Sequence, residues 1–199
     1  MTQDTNLPRW HSRGYLPHFE AGQRAQFITL HLADSLSQEL LQNWKRALEQ
    51  HQCESVVRSL RIKIEVYLDA GYGACYLKQE PIASSVEDAL LHFDSIRYNL
   101  RSWVVMPNHI HFLAAPLADH KLSHIMHSLK SYTAQEANRK LGRKGRFWME
   151  DYFDRYIRDE DHYRRTVAYI EHNPVKAGLC SRPEEWRFSS AWWRTKKKS

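Results

Sequence analysis

The sequence predicts an α+β fold, an antiparallel sheet with helices packed on it. Two observations carry this. Segments 26–32, 97–106 and 109–116 are rich in residues that suit strands, and the first and last can be split into two faces with a period of two. Between and after them run stretches with apolar residues at helical spacing. The order is strand, helices, strand pair, helix, strand, helix, with the helices expected on one face of the sheet.

Residues 1–25 contain Pro8, Gly14, Pro17 and Gly22 and read as an irregular N-terminal arm. The arm carries Arg9, Trp10, His11, Arg13 and Tyr15 and reads either as a floppy terminus or as an arm that contacts nucleic acid, with Trp10 or Tyr15 stacking on unpaired bases. The main domain is expected over 26–191. Its first strand, QFITLHL, puts Phe27, Thr29 and His31 on one face and Ile28, Leu30 and Leu32 on the other. Ser35 or Ser37 caps a helix with Leu36, Leu40, Leu41, Trp44 and Leu48 at helical spacing. A second helix, about 56–68, is stopped by Gly71 and Gly73. Residues 74–77 read as a loop or a very short strand. Pro81 suits the start of a third helix, which runs to Phe93.

The strand 97–106 and the turn Pro107-Asn108 then deliver the segment HIHFLAAP. Alternation puts His109, His111, Leu113 and Ala115 on one face, exposed, and Ile110, Phe112 and Ala114 on the core face. Residues 121–141 form a long helix free of Gly and Pro, with Ile125, Leu129, Tyr132 and Glu136 on one side. Arg139, Lys140, Arg143, Lys144 and Arg146 follow, spaced by glycines, and suit a phosphate backbone. Residues 147–157 read as the last strand. Asp159 or Asp161 caps a helix that Asn173-Pro174 is expected to end. Residues 192–199 are a short basic tail.

Net charge is +6 with a pI near 9.2, and the chain holds 7 Trp and 12 His, a balance that suits a polyanion partner. Cys53, Cys75 and Cys180 are widely spaced, which fits a reducing cytoplasm and not a disulfide framework. No apolar run approaches the ~18 residues of a membrane span, and no N-terminal signal region is evident, so neither a membrane role nor export is expected.

Two imidazoles one strand repeat apart can reach one metal ion, although short His pairs also occur with no ligand role. A tyrosine and a carboxylate four residues apart stand one above the other on a helix. The context of these pairs is more specific: VVMPNHIHFL, then SLKSYTAQEANR, then GRFWMEDYFDRYIRDEDHYRRTVAYIEHNPVKAGL and WRFSSA, preceded by LDAGYGACYL. Together they resemble the REP-associated tyrosine transposases, a branch of the single-tyrosine HUH transposases. The resemblance runs from about Gln26 to Ala191.

The resemblance implies a ferredoxin-like or RRM-like core with the histidine strand central. It implies a metal-dependent endonuclease and strand transferase for single-stranded DNA, acting on hairpins of repetitive extragenic palindromes through a 5′-phosphotyrosine. By this resemblance His109 and His111 bind Mg²⁺ or Mn²⁺, Tyr132 is the nucleophile, and the third ligand is Glu136, one turn further on. Gln135 and Asn138 are the other donors nearby. The protein would act as a monomer or homodimer in a bacterial cytoplasm, at the nucleoid.

Three other readings compete. A non-catalytic hairpin-binding protein would bind DNA or RNA without nicking it. A histidine-triad hydrolase needs a further histidine where Leu113 stands. A cupin-like metal site needs an all-β pattern that the helices deny.

Overall fold

The computed structural model describes residues 9–12, 17–20, 22–37, 39–43, 46 and 54–197. The N-terminal arm is not irregular where it is described. Strands β1 (Arg9–Ser12) and β2 (Pro17–Glu20) pair antiparallel, with Arg9 opposite Glu20. The main sheet has four strands: β3 (Gln26–His31), β4 (Tyr98–Val105), β5 (His109–Pro116) and β6 (Phe153–Tyr156). Its order is β4-β5-β3-β6, all antiparallel, so the histidine strand is central as expected.

Five helices are complete among the described residues. They are α1 (Glu54–Asp69), α2 (Glu80–His92), α3 (Leu122–Lys140), α4 (Glu160–Lys176) and α5 (Ser190–Lys196). Residues 74–77 lead into a 3-10 turn, Tyr76–Lys78, instead of a strand.

Helices cover both faces of the sheet, not one. Ile82, Val86 and Leu90 of α2 and Ile125, Met126 and Leu129 of α3 pack on Ile28, Leu30, Ile110 and Phe112. On the opposite face Ile170 of α4 packs with Phe27, Val104, Met106 and Leu113. Ile64 and Leu68 of α1 meet Leu36, Leu41 and Phe153 in a third cluster. Each fully buried side chain of this size contributes about 1.5–3 kcal/mol. The two-faced cover follows from β3 and β5, whose residues are buried at every position but Ala115.

Helix α4 begins at an Asp159 side chain that accepts from the His162 amide at 2.7 Å. It does not stop at Asn173-Pro174. It continues to Lys176 with Pro174 inside it, and Gly178 (φ +69°) lies just beyond its end. Proline removes one amide donor, yet the turn beyond it is held by Ala177 N–H donating to Asn173 O at 3.0 Å and Leu179 N–H to Pro174 O at 2.9 Å. Tyr169, Asn173 and Lys176 therefore share one helix face.

The C-terminal segment closes the free edge of β4. Val105 N–H donates to Phe188 O at 2.9 Å, and the Trp186 indole donates to Val105 O at 2.9 Å. Arg187 pairs with the buried Glu87 at 2.9 Å. Ser190 and Arg194 both donate to Glu171 of α4. Helix α5 runs through the boundary expected at 191/192, so part of the basic tail is packed structure. No helix of the described residues is long and apolar enough to cross a membrane.

Candidate active site

His109 and His111 are not exposed. Both are 0% accessible, because α1 and α4 roof over their face of the sheet. Their rings stand 4.6 Å apart, centroid to centroid. The Nδ1 atom of His111 lies 2.8 Å from the Thr29 hydroxyl on the neighbouring strand, where Thr29 pairs with His111 in register. The Nδ1 atom of His109 lies 2.8 Å from Asn108 Oδ1. Asn108 Nδ2 donates to Tyr72 O at 2.9 Å, so its oxygen is the atom left for His109. His109 therefore carries its proton on Nδ1 and a lone pair on Nε2. Neither Nε2 has a hydrogen-bond partner.

Burial decides the charge of this pair. It pushes His109 well below its ordinary pKa, with the neighbouring His111, His31 and Lys176 adding to the effect. It pushes His111 down to about 3, with Lys176 adding. Both imidazoles are neutral at neutral pH, the form that binds metals. His31, opposite His109 in register, is also buried. It holds Ser35 Oγ at 2.8 Å and is lowered to about 4, first by burial.

Tyr169 of α4 packs against this pair. Its ring centroid is 5.4 Å from His111 and 5.8 Å from Phe27. Its hydroxyl has no hydrogen bond of ordinary length; the Glu65 carboxylate and the Asn173 amide are the groups that face it. Burial raises the phenol pKa, and the negative charges of Glu65 and Asp69 raise it further. Asn173, one turn on, is 1% accessible, and both its amide atoms lack partners. Lys176 Nζ lies 5.8 Å from the Tyr169 ring centroid and 2.6 Å from Asp69 Oδ2.

Tyr132 and Glu136 do not join the histidines. Helix α3 packs on the Ile110/Phe112 face, and alternation along β5 puts His109 and His111 on the other side of the sheet. Tyr132 is 56% exposed, and Glu136 pairs with Arg139 at 2.7 Å. The reason lies in the helical stripe. After Ile125 and Leu129 the buried positions are Thr133 and Ala137, not Tyr132 and Glu136. Thr133 accepts a 2.8 Å bond from the Trp148 indole, which fixes that rotation. Gln135 and Asn138 ride on the same helix; the Asn138 amide is turned to Gly145 O at 2.8 Å.

Several of the expected DNA-contact side chains are engaged within the fold. Lys140 donates to Pro81 O at 2.7 Å, and Arg143 lies 4.9 Å over the Tyr76 ring. Arg139 pairs with Glu136, and Arg146 with Glu150 at 3.5 Å. Lys144 is exposed. Arg9 lies on β1, and Arg13 falls outside the described residues.

The sequence reading missed Tyr169 and Asn173, although they show the same i, i+4 spacing that singled out Tyr132 and Glu136. Ending the helix at Asn173-Pro174 hid the pair.

Residues 76–173 match the family model described as "Transposase IS200 like". That span, just under half of the chain, is similar to the IS200-like transposases. The matched span contains His109, His111 and Tyr169 and ends on Asn173. Over 94 residues the chain is 31% identical to the REP-associated tyrosine transposase of Escherichia coli K12, covering 47% of this chain and 54% of that one. The aligned part thus spans about half the length of that relative. The fold is similar to the structure of a REP-associated tyrosine transposase bound to a REP hairpin. That match has a TM-score of 0.54 and 19% identity, over 94% of this chain and 86% of the other.

The donors around the two histidines are of the kind that a divalent metal ion takes. His109 Nε2, His111 Nε2, Asn173 and Asp69 Oδ1 are buried polar atoms without partners, on β5, α4 and α1. A mixed nitrogen and oxygen donor set of this kind suits a divalent cation. Among the described residues no group of three His, Cys, Asp or Glu side chains is arranged to hold a metal ion as it stands, so the fit rests on the two imidazoles with the Asn173 amide.

Proposed function

We propose that this chain cuts and rejoins single-stranded DNA at hairpins of the REP type, through a 5′-phosphotyrosine on Tyr169. The observation that carries the reading is the half-buried Tyr169 ring against His111, with the unpartnered Asn173 amide one turn on. The E. coli relative and the hairpin-bound fold neighbour support the choice of substrate.

In this reading the Tyr169 oxygen attacks the scissile phosphorus. The P–O3′ bond breaks and the departing 3′ oxygen takes up a proton. The products are a tyrosine ester of the 5′ phosphate and a free 3′-OH, so the bond energy is kept. Attack by a 3′-OH reverses the step and transfers the strand. A free phenol has a pKa of about 10, so it must surrender its proton as it attacks. Glu65 is the carboxylate placed to take it. The two Nε2 atoms and the Asn173 oxygen would hold Mg²⁺ or Mn²⁺, which polarises the phosphate and offsets developing charge. Lys176, beside the phenol ring, adds positive charge where a phosphate must sit.

The test is a denaturing gel of end-labelled hairpin oligonucleotides incubated with Mn²⁺ and each of three chains: the natural one, Tyr169→Phe and Tyr132→Phe. A 3′-side fragment carrying the protein on its 5′ phosphate, from the natural chain and from Tyr132→Phe but not from Tyr169→Phe, is expected. The reverse pattern restores Tyr132 as nucleophile. Binding without cutting by any chain favours the non-catalytic hairpin-binding protein.

A further inference from the structure

Asp69 is the last residue of α1 and lies outside the span that matches the family model. Its place is fixed from both sides. Tyr72 stacks on Tyr67 at 4.2 Å and gives its carbonyl to Asn108 Nδ2. Asp34 accepts the Ala74 amide at 2.9 Å. Gly73, at φ +89°, sits so close to Asp34 that a Cβ there would lie 2.8 Å from the Asp34 carbonyl oxygen. The turn that aims Asp69 is thus the turn that Asn108 grips while it orients His109.

The Asp69 side chain is 11% accessible. Oδ2 takes the Lys176 ammonium at 2.6 Å, while Oδ1 has no donor. Oδ1 lies 4.0 Å from His109 Nε2, which also has none. The network leaves the His109 proton on Nδ1, so the two facing atoms are both acceptors and cannot bond to each other. A buried acceptor without a partner costs about 1–3 kcal/mol. A cation between them satisfies both. Two bonds of ~2.1 Å span at most ~4.2 Å, close to the separation seen.

We propose that Asp69 is a further ligand of the divalent cation, completing a set of two imidazoles, one amide and one carboxylate. This rests on reading His109, His111 and Asn173 as the metal site. Lys176 keeps the other carboxylate oxygen, so the ion and the ammonium share one carboxylate without competing for an atom. The carboxylate also biases the site toward hard ions such as Mn²⁺ and Mg²⁺ over Zn²⁺.

The experiment is Mn²⁺ titration of the DNA-free protein, followed by the loss of the free-ion EPR signal. Asp69→Ala is expected to weaken binding at least ~10-fold, with its Zn²⁺/Mn²⁺ preference moved toward Zn²⁺. Asp69→Asn, which keeps the shape, weakens it in the same direction and serves if the alanine chain does not fold. Lys176→Met leaves Mn²⁺ binding unchanged or tighter. Natural-strength binding by a folded Asp69 variant, while His109→Ala binds none, overturns the proposal and leaves the histidine site standing. Equal weakening in Asp69→Ala and Lys176→Met also overturns it, since the carboxylate then acts only through its ion pair. Natural-strength binding by His109→Ala overturns the metal reading itself.

Discussion

Asn108 grips His109 from behind, its Oδ1 2.8 Å from the ring Nδ1, while its other amide atom is committed to Tyr72. One residue thereby sets the tautomer of a site imidazole and ties the α1–α2 turn to the central strand. Replacing Asn108 with Ala should leave Nδ1 without its acceptor and free the ring to turn. We expect Mn²⁺ affinity to fall ~10–100-fold, the usual cost of losing an orienting partner. Asn108→Asp, which keeps the acceptor oxygen, should lose much less. Calorimetric titration of both variants checks this.

Glu65 faces the Tyr169 hydroxyl, and burial raises its pKa above the usual carboxylate value. Glu65→Gln removes the proton acceptor while keeping the shape. Single-turnover cleavage should slow by about 10²–10⁴-fold with hairpin affinity unchanged. Unchanged cleavage at neutral pH would assign the proton to water instead.

Acid should destabilise the fold early. His31 and His111 are lowered to about 4 and about 3 in the folded chain, whereas the unfolded chain titrates near 6.5. Between those values the unfolded state binds more protons, so stability falls as pH falls below about 6.5. Each such histidine removes up to about 1.4 kcal/mol per pH unit. Urea unfolding without metal at pH 7.5, 6 and 5 reads the slope. His31→Gln should flatten it by about one histidine's share.

Arg187 is the test of the C-terminal seam. It neutralises Glu87, whose side chain is only 3% accessible and also accepts the Trp103 indole at 3.0 Å. Arg187→Ala leaves a buried charge unpaired and should cost about 3–5 kcal/mol. Adding Glu87→Gln to it should recover part of that loss. Thermal or urea unfolding of the single and double variants decides.

The sequence disclosed the central strand and the histidine pair because strand alternation leaves few registers, and β5 obeys it residue by residue. It also disclosed the helix 121–141 within a residue at each end. It grouped Tyr132 and Glu136 with Ile125 and Leu129, whereas the buried positions that follow are Thr133 and Ala137, because both pairs satisfy helical spacing after Ile125. Only contact with Trp148 chooses between them. The tyrosine beside the histidines was hidden for a different reason. A proline was taken as a stop, but one missing amide near a helix end is tolerated when later amides still find carbonyls. The burial of the histidines depended on α1 and α4, which local pattern cannot place in space.

Helix α4 carries Tyr169 and, two residues on, Glu171, which is latched to Ser190 and Arg194 of the C-terminal helix. A helix turns as a rod. Any roll that swings the phenol toward or away from a strand must strain that latch or take α5 with it. In the role proposed for Tyr169, the C-terminal segment is a torsional stop, setting from the far edge of the sheet how far the phenol oxygen can travel.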